Sequence, residues 1–398
     1  MISSPQHFRI GDFATVGSGT TPARAKAARY FSSSGHEWVK TGDLTNSVIR
    51  FTDEKITPAA VAESNCRLYP SGTVLVAMYG GLRQIGRTGL LERPAAVNQA
   101  ISAIQVDPTK AHPEYLLHFL NHAVDGWRQF AASSRKDPNI TRQDVESFPV
   151  PLPPLAEQRK IAEILGAWDN AIDKTMELRR LADVRRAELV ERVLVPSDGA
   201  RRKLSELTRP IKTRNSAAAM GRESVMGVSN RLGLVPMREQ TIAADISRYQ
   251  VLPPRGFAYN PMRINVGSIA MSRLESHVLV SPDYVLFQCE ERELRPEYLD
   301  HVLRTRWWLH HVNAGASGSV RTRTYYDDLA AISIAAPPIA KQDNVSRALD
   351  GLEKEIQLLQ RKAELLRTQK RGLMQKLLTG QVRVNVAAEF EPGGQNDD

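Results

Sequence analysis

The chain has 398 residues, enough for two to three domains at roughly 100 to 200 residues each, and its 42% hydrophobic and 24% charged residues are ordinary globular values. Fifty-three Lys and Arg against 44 Asp and Glu give a formal charge of +9, which fits a polyanionic partner as well as it fits a plain basic surface. The only cysteines, Cys66 and Cys289, exclude a disulfide framework and a Cys-based zinc site, so a reducing, cytoplasmic setting is expected.

In chain order, the opening MISSPQHFRIGDF lacks the charged, apolar and cleavage-site succession of a secretion signal. The longest apolar run, 74–78, is far below the ~20 residues of a membrane span, so no membrane role is expected. GSG at 17–19 reads as a flexible turn. Strands are expected at 73–78 and 101–106, a helix at 113–122, and a long helix from the Pro-Pro at 153–154. The Arg- and Lys-rich stretch 196–215 reads as a linker. Strands at 268–271 and 284–287, a helix at 296–304 and a second long helix follow. The predicted class is mixed α/β, divided as a first block 1–152, a helix 153–195, a second block 196–336, a helix 337–380 and a tail 381–398.

That order reflects an internal repeat. At an offset of 184, Pro153, Pro154, Ala156, Gln158, Leu165, Ile172, Leu181, Leu189 and Leu194 recur as Pro337, Pro338, Ala340, Gln342, Leu349, Ile356, Leu365, Leu373 and Leu378. Upstream, HPEYLLHFLNH from His112 lies over RPEYLDHVLRT from Arg295, and a weaker echo, FRIGDF against RKLSEL, opens each half. The unit is a globular block followed by a helix, not a short solenoid repeat.

Both long helices carry apolar residues at alternating spacings of four and three, the pattern of a coiled-coil seam. Leu165, Trp168 and Ile172 in the first, and Leu349, Leu352, Ile356, Leu359 and Leu366 in the second, are the expected pairing residues. Arg179 and Arg186 interrupt the first seam and Lys370 the second. A complete block separates the helices, so antiparallel pairing is the simplest closure.

The sequence offers no complete catalytic motif. GLRQIGRT at 81–88 copies phosphate-loop spacing but has Arg87 in place of lysine and no convincing helix behind it. The aromatic-capped Pro-Pro turn of an adenine methyltransferase is missing, HExxH spacing does not occur, and His310-His311 beside Trp307-Trp308 reads as an amphipathic helix face. No catalytic residue and no metal ligand is nominated, and Asp53-Glu54-Lys55 reads as a solvated loop.

Polar and basic loops suited to DNA recur once per half. In the first they hold Lys40, Thr41, Tyr79, Arg83, Gln84, Arg87, Asn98, Gln99, Arg135, Lys136, Asn139 and Arg142. In the second they hold Tyr259, Asn260, Arg263, Arg273, Ser319, Arg321, Arg323 and Tyr325. Arg and Lys suit guanine O6/N7 or phosphate, and Asn and Gln suit adenine N6/N7. Residues 179–214 add eleven Arg and Lys against five Asp and Glu, a patch able to follow phosphates.

Taken together, GSGTTP, EWVKTGDL, PLPPLAEQRKIAEIL, AYNPMRINVGSIA, GSVRTRTYYDDL and KRGLMQKLLTGQVRV make the chain resemble the DNA specificity subunits of type I restriction-modification systems over nearly its whole length. The resemblance implies two target recognition domains in a pseudo-two-fold arrangement, each reading one half of a split double-stranded DNA sequence. Two long antiparallel helices would hold them apart and dock two methyltransferase subunits, with motor-nuclease restriction subunits bound through those. It implies no chemistry and no cofactor in this chain; S-adenosylmethionine, ATP and Mg²⁺ would belong to the partners. An orphan or phage-defence specificity factor serving a different effector is the alternative. The second helix opening departs from the first, with Ala335-Ala336 and Lys341 where the first has Pro151-Leu152 and Glu157, so the two are expected to differ as docking points.

Overall fold

A computed structural model describes residues 6–81, 83–131, 139–194, 201–216, 219–230, 232–314 and 323–385. The chain forms two compact units, Met1–Thr175 with Lys362–Asp398, and Met176–Arg361. Each long helix, Leu155–Leu194 and Ile339–Leu378, contributes residues to both.

In the first unit a five-stranded sheet runs in the order Ala14–Ser18, Ile101–Val106, Val74–Ala77, Thr88–Leu91, Ser47–Ile49, antiparallel except for its last pair. Val74–Ala77 is uniformly apolar because it is covered on both faces. Val74 and Val76 enter the cluster of Tyr115, Leu116 and Leu120 on helix Pro113–His122, while Leu75 and Ala77 enter a second cluster with Val39, Tyr69 and Val97. A four-stranded sheet of Phe31–Ser32, Lys55–Ile56, His36–Val39 and Ala95–Val97 completes the block.

The second unit repeats the scheme with two four-stranded sheets. One is ordered Thr208–Ile211, Val285–Cys289, Phe257–Tyr259, Ile269–Met271, and the other Gly233–Pro236, Val225–Ser229, Val278–Val280, Gln250–Leu252. Phe257 and Tyr259 face one core cluster and Ala258 another, the alternation seen at Val74–Ala77. Each block is clasped by a three-residue antiparallel pair. His7–Arg9 joins Pro149–Pro151 in the first, and Arg201–Lys203 joins Ser333–Ala335 in the second. A four-residue helix follows the first strand of each clasp, Ile10–Phe13 and Leu204–Leu207, so the faint echo between FRIGDF and RKLSEL marks equivalent structure.

This corrects the linker reading of 196–215. Arg201–Ile211 is strand, helix and strand, with Leu204 and Leu207 fully buried, and its short basic strands carry no periodicity a sequence scan registers. Residues 195–200 lie outside the described residues. The turn reading of GSG is likewise corrected. Gly17 pairs with Ala103 inside a strand, and a Cβ on Gly19 would lie 1.9 Å from the Val97 carbonyl oxygen, so glycine here permits close backbone approach. The helix expected at 296–304 ends as Pro296–Val302, and the strand expected at 284–287 is Val285–Cys289.

The Pro-Pro-x-x-x-Gln opening now has a mechanism. Gln158 and Gln342 are buried, and each carboxamide stitches the helix start to its block. The Gln158 oxygen accepts from the His112 N–H (2.9 Å), and its nitrogen donates to the carbonyls of Lys110 (3.0 Å) and Pro153 (2.8 Å). Gln342 accepts from the Arg295 N–H (2.8 Å) and donates to Glu293 (2.9 Å) and Pro337 (2.7 Å). Tyr115 and Tyr298 reinforce the joint by donating to the carbonyls of Pro151 and Ala335. At the position where the two openings differ, Glu157 is buried and binds Arg383 (3.2 Å), whereas Lys341 is exposed.

Within each unit the helix segments pack against the block. Ile161, Ala162 and Leu165 share a core with Met374, Leu377 and Leu378 in the first, and Leu189, Val193 and Leu194 share one with Val345 and Leu349 in the second. Of the expected pairing residues, Leu165, Ile172, Leu349 and Leu352 are buried, while Trp168, Ile356, Leu359 and Leu366 are half-buried.

Burial beneath the helix pair pushes the His118 imidazole down to about 3, with Lys370 adding to the effect. The fold therefore prefers neutral His118, whereas the unfolded chain takes up a proton near the ordinary value of 6.5. This contribution is intact above that value and is lost as pH falls toward the folded one. It amounts to about 2 kcal/mol between about pH 6.5 and about pH 5. Denaturant titrations at the two pH values should show the loss, and His118→Gln should remove that component.

Candidate nucleic-acid interface

The first-block loops converge on Met78. Its N–H donates to the Ala100 carbonyl (2.8 Å) and its carbonyl accepts from Ile140 (3.1 Å), so the loops carrying Tyr79 and Arg83, Asn98 and Gln99, and Asn139 and Arg142 meet at one strand end. Asn98 adds the loop of Lys40 and Thr41 through its N–H to the Val39 carbonyl (2.9 Å). The loop after Met78 turns through Gly80, Gly81 and Gly86, all at positive φ, and leads into strand Thr88–Leu91. A strand in place of a helix leaves the phosphate-loop spacing without the helix N-terminus it needs.

Several of these polar groups are already engaged. Lys40 binds Glu54 (2.7 Å), which also takes Arg24 (2.7 Å), and hydrogen bonds from Arg24 and then Lys40 hold the Glu54 carboxyl down at about 2. Glu54 is thus a paired carboxylate and not the freely solvated one expected. The Gln99 carboxamide oxygen accepts from Thr21, the Asn98 carboxamide oxygen accepts from the Ala100 N–H, and Arg142 pairs with Glu146 (2.7 Å). The Gln84 amide oxygen is buried, and Thr41 and Arg87 are partly exposed. Tyr79 and Arg83 are exposed, and Arg83 has no side-chain partner among the described residues. Arg135 and Lys136 lie outside the described residues.

The second block is built the same way. The Thr324 N–H donates to the Pro261 carbonyl (3.1 Å), bringing the segment of Arg323 and Tyr325 against the turn of Asn260 and Arg263. Thr324 stands 184 residues after Ile140, so the same connection recurs at the repeat offset. Arg263 and Arg323 are exposed without side-chain partners among the described residues, and Tyr325 is exposed. The Asn260 oxygen accepts from Met262 (2.9 Å) and so shapes the turn. Tyr259 departs from expectation. It is fully buried and donates to the Thr324 carbonyl (3.1 Å), so its ring packs in the core beneath the loops. Arg273 binds the buried Asp300 (2.6 Å), which Arg304 also holds (2.7 Å), at the edge of a cavity of about 420 Å³ lined by Asn230, Leu232 and Val266. Ser319 and Arg321 lie outside the described residues.

Among the described residues no three His, Cys, Asp or Glu side chains gather as a metal-ligand group, and no helix is long and apolar enough to cross a membrane. Trp308 is buried on helix Arg306–Ala314 while Arg306 and His310 are exposed, which makes this helix amphipathic as read.

Against known families, residues 4–183 match the type I restriction modification DNA specificity domain. The matched stretch is a little under half of the chain. Among curated proteins the chain is similar to the EcoR124I/EcoR124II type I restriction enzyme specificity subunit of Escherichia coli, 23% identical over 42% of each chain. It is also similar to the MjaIX specificity subunit of Methanocaldococcus jannaschii, 26% identical over 42% of this chain and 38% of the other. These matches span about two-fifths of the relatives' length. Over 94% of this chain and 96% of the other, the fold is similar to the crystal structure of a type I restriction-modification S subunit from M. genitalium, at 12% identity and a TM-score of 0.60. The family resemblance read from the motifs therefore holds, and the likeness of fold extends beyond the matched specificity domain into the second block. The loops that meet at Met78 all lie within the matched residues.

Proposed function

We propose that the chain is the sequence-specific DNA-recognition subunit of a type I restriction-modification complex. Each block reads one part of a split duplex target, leaving an unread gap between the parts. What supports this reading above all is the repeated geometry of the loops: arginines without side-chain partners among the described residues, Arg83 in one block and Arg263 and Arg323 in the other, stand on loops docked by the same backbone connection at the repeat offset. Engaged residues such as Lys40 and Asn98 shape the loops, and the exposed arginines and tyrosines meet the duplex.

Half-sites centred about one helical turn apart, roughly 10 base pairs, leave on the order of five to eight unread positions. The chain supplies the address and no chemistry. S-adenosylmethionine is assigned to two modification subunits, and ATP and Mg²⁺ to restriction subunits. Exposed Leu178, Leu181 and Val184 on the first long helix and Leu358 on the second offer apolar footing for such partners.

The test is selection of bound duplexes from a randomised pool by the full chain copurified with its neighbouring modification subunit. A bipartite consensus with a fixed gap is expected. A contiguous consensus, or salt-sensitive binding without sequence preference, would overturn the split-target reading in favour of an orphan factor serving another effector.

A further inference from the structure

Two of the residues that interrupt the helical seam, Arg186 and Lys370, each stand in a polar knot, and the two knots are related. In the first unit Asp169 on the first long helix bonds Lys370 on the second, and His118 of the block lies behind it, its Nδ1 3.9 Å from the carboxylate. In the second unit Glu353 on the second helix bonds Arg186 on the first (2.8 Å), with the Nδ1 of His301 4.0 Å away. The repeat carries one set onto the other: Asp169 to Glu353 and Arg186 to Lys370 at offset 184, and His118 to His301 at 183. In each helix the acid comes first and the base seventeen residues later, and each acid meets the base of the other helix.

We infer that these two cross-helix ion pairs, Asp169–Lys370 and Arg186–Glu353, fix the direction and register of the helix pair. The pattern penalises each simple alternative. A parallel pairing in repeat register sets Asp169 against Glu353 and Arg186 against Lys370, like charge against like. An antiparallel slip of one heptad sets Asp169 against Ala363 or Leu377, and Arg186 against Ser346 or Gln360. Of these registers only the observed one gives both acids a cation across the seam, since the slip that sets Glu353 against Arg179 leaves Asp169 against Ala363. The apolar seam alone discriminates less, because its repeat tolerates heptad slips. Lys370 is only 13% exposed and the Glu353 side chain 23%, so a missing partner is costly here even though such pairs add little net stability.

The histidines behind the acids do not replace the missing cation, since burial lowers the protonation of both. The second knot is buffered, because Arg304 lies 3.5 Å from Glu353 and Asp350 lies 3.2 Å from the His301 ring. Among the described residues the first knot has Lys370 as its one cation and is the more sensitive of the two.

The test perturbs one knot and reads register at the other. In the full chain Arg186→Lys keeps the second knot's charge and introduces an amine that a zero-length carbodiimide joins to Glu353, a product located by peptide mass mapping. Adding Lys370→Glu is expected to lower that coupling about tenfold. The swap Asp169→Lys with Lys370→Glu is expected to restore it. Local damage confined to the first knot would leave the coupling unchanged in the single reversal, which overturns the inference. Loss that the swap does not restore also overturns it.

Discussion

Replacing Gln342 with leucine is expected to destabilise the second unit by about 3 kcal/mol, and Gln158→Leu the first by a similar amount. Leucine fits the volume of either site, so the loss is one of polar pairing. Each glutamine is at most 1% exposed and satisfies one backbone N–H and two carbonyls at the point where the block hands the chain to a long helix. With leucine those three groups lose the partner that now satisfies them, and an orphaned N–H is the most costly of them. Glutamic acid is expected to do worse, because its second oxygen would face the two carbonyls that now accept from the amide nitrogen. Thermal or denaturant unfolding followed by tryptophan fluorescence measures this. Trp127 is buried in the first unit and Trp308 in the second, so each substitution should shift mainly the signal of its own unit.

These glutamines show where sequence was informative. They were legible because the joint needs the same amide twice, and an amide has no close substitute, so the repeat preserves identity at Gln158 and Gln342. The seam was legible because its period is local. The knots were not, since the repeat keeps only charge at those positions, Asp for Glu and Arg for Lys; read against an apolar pattern, Arg186 and Lys370 registered as defects. Most strands escaped for another reason. Strands as short as Arg201–Lys203 and His7–Arg9 exist by pairing with partners 130 or more residues away, which no local window contains. In the candidate loops composition grouped residues whose structural roles differ. Tyr259 was grouped with Asn260 and Arg263 although strand alternation sends its ring inward, and Lys40 was counted as available although Glu54, fourteen residues on, already holds it.

On the proposed reading, lengthening both long helices by one heptad, at Thr175 in the first and Ala363 in the second, is expected to widen the unread gap by about 3 base pairs while leaving both half-sequences unchanged. Seven helical residues add roughly 10 Å at 1.5 Å each, and duplex DNA rises about 3.4 Å per base pair. A whole heptad keeps the seam in phase, and inserting it between the knots preserves both ion pairs, so the added length has no register to slip into. The original target would then match at one half-site only. At about 1–3 kcal/mol per mismatched base pair, losing a half-site of a few base pairs weakens binding by roughly a thousandfold or more. Selection from the randomised pool distinguishes the outcomes: a wider gap between the same half-sequences means that the helices set the spacing, whereas an unchanged gap means that the blocks find their separation without them.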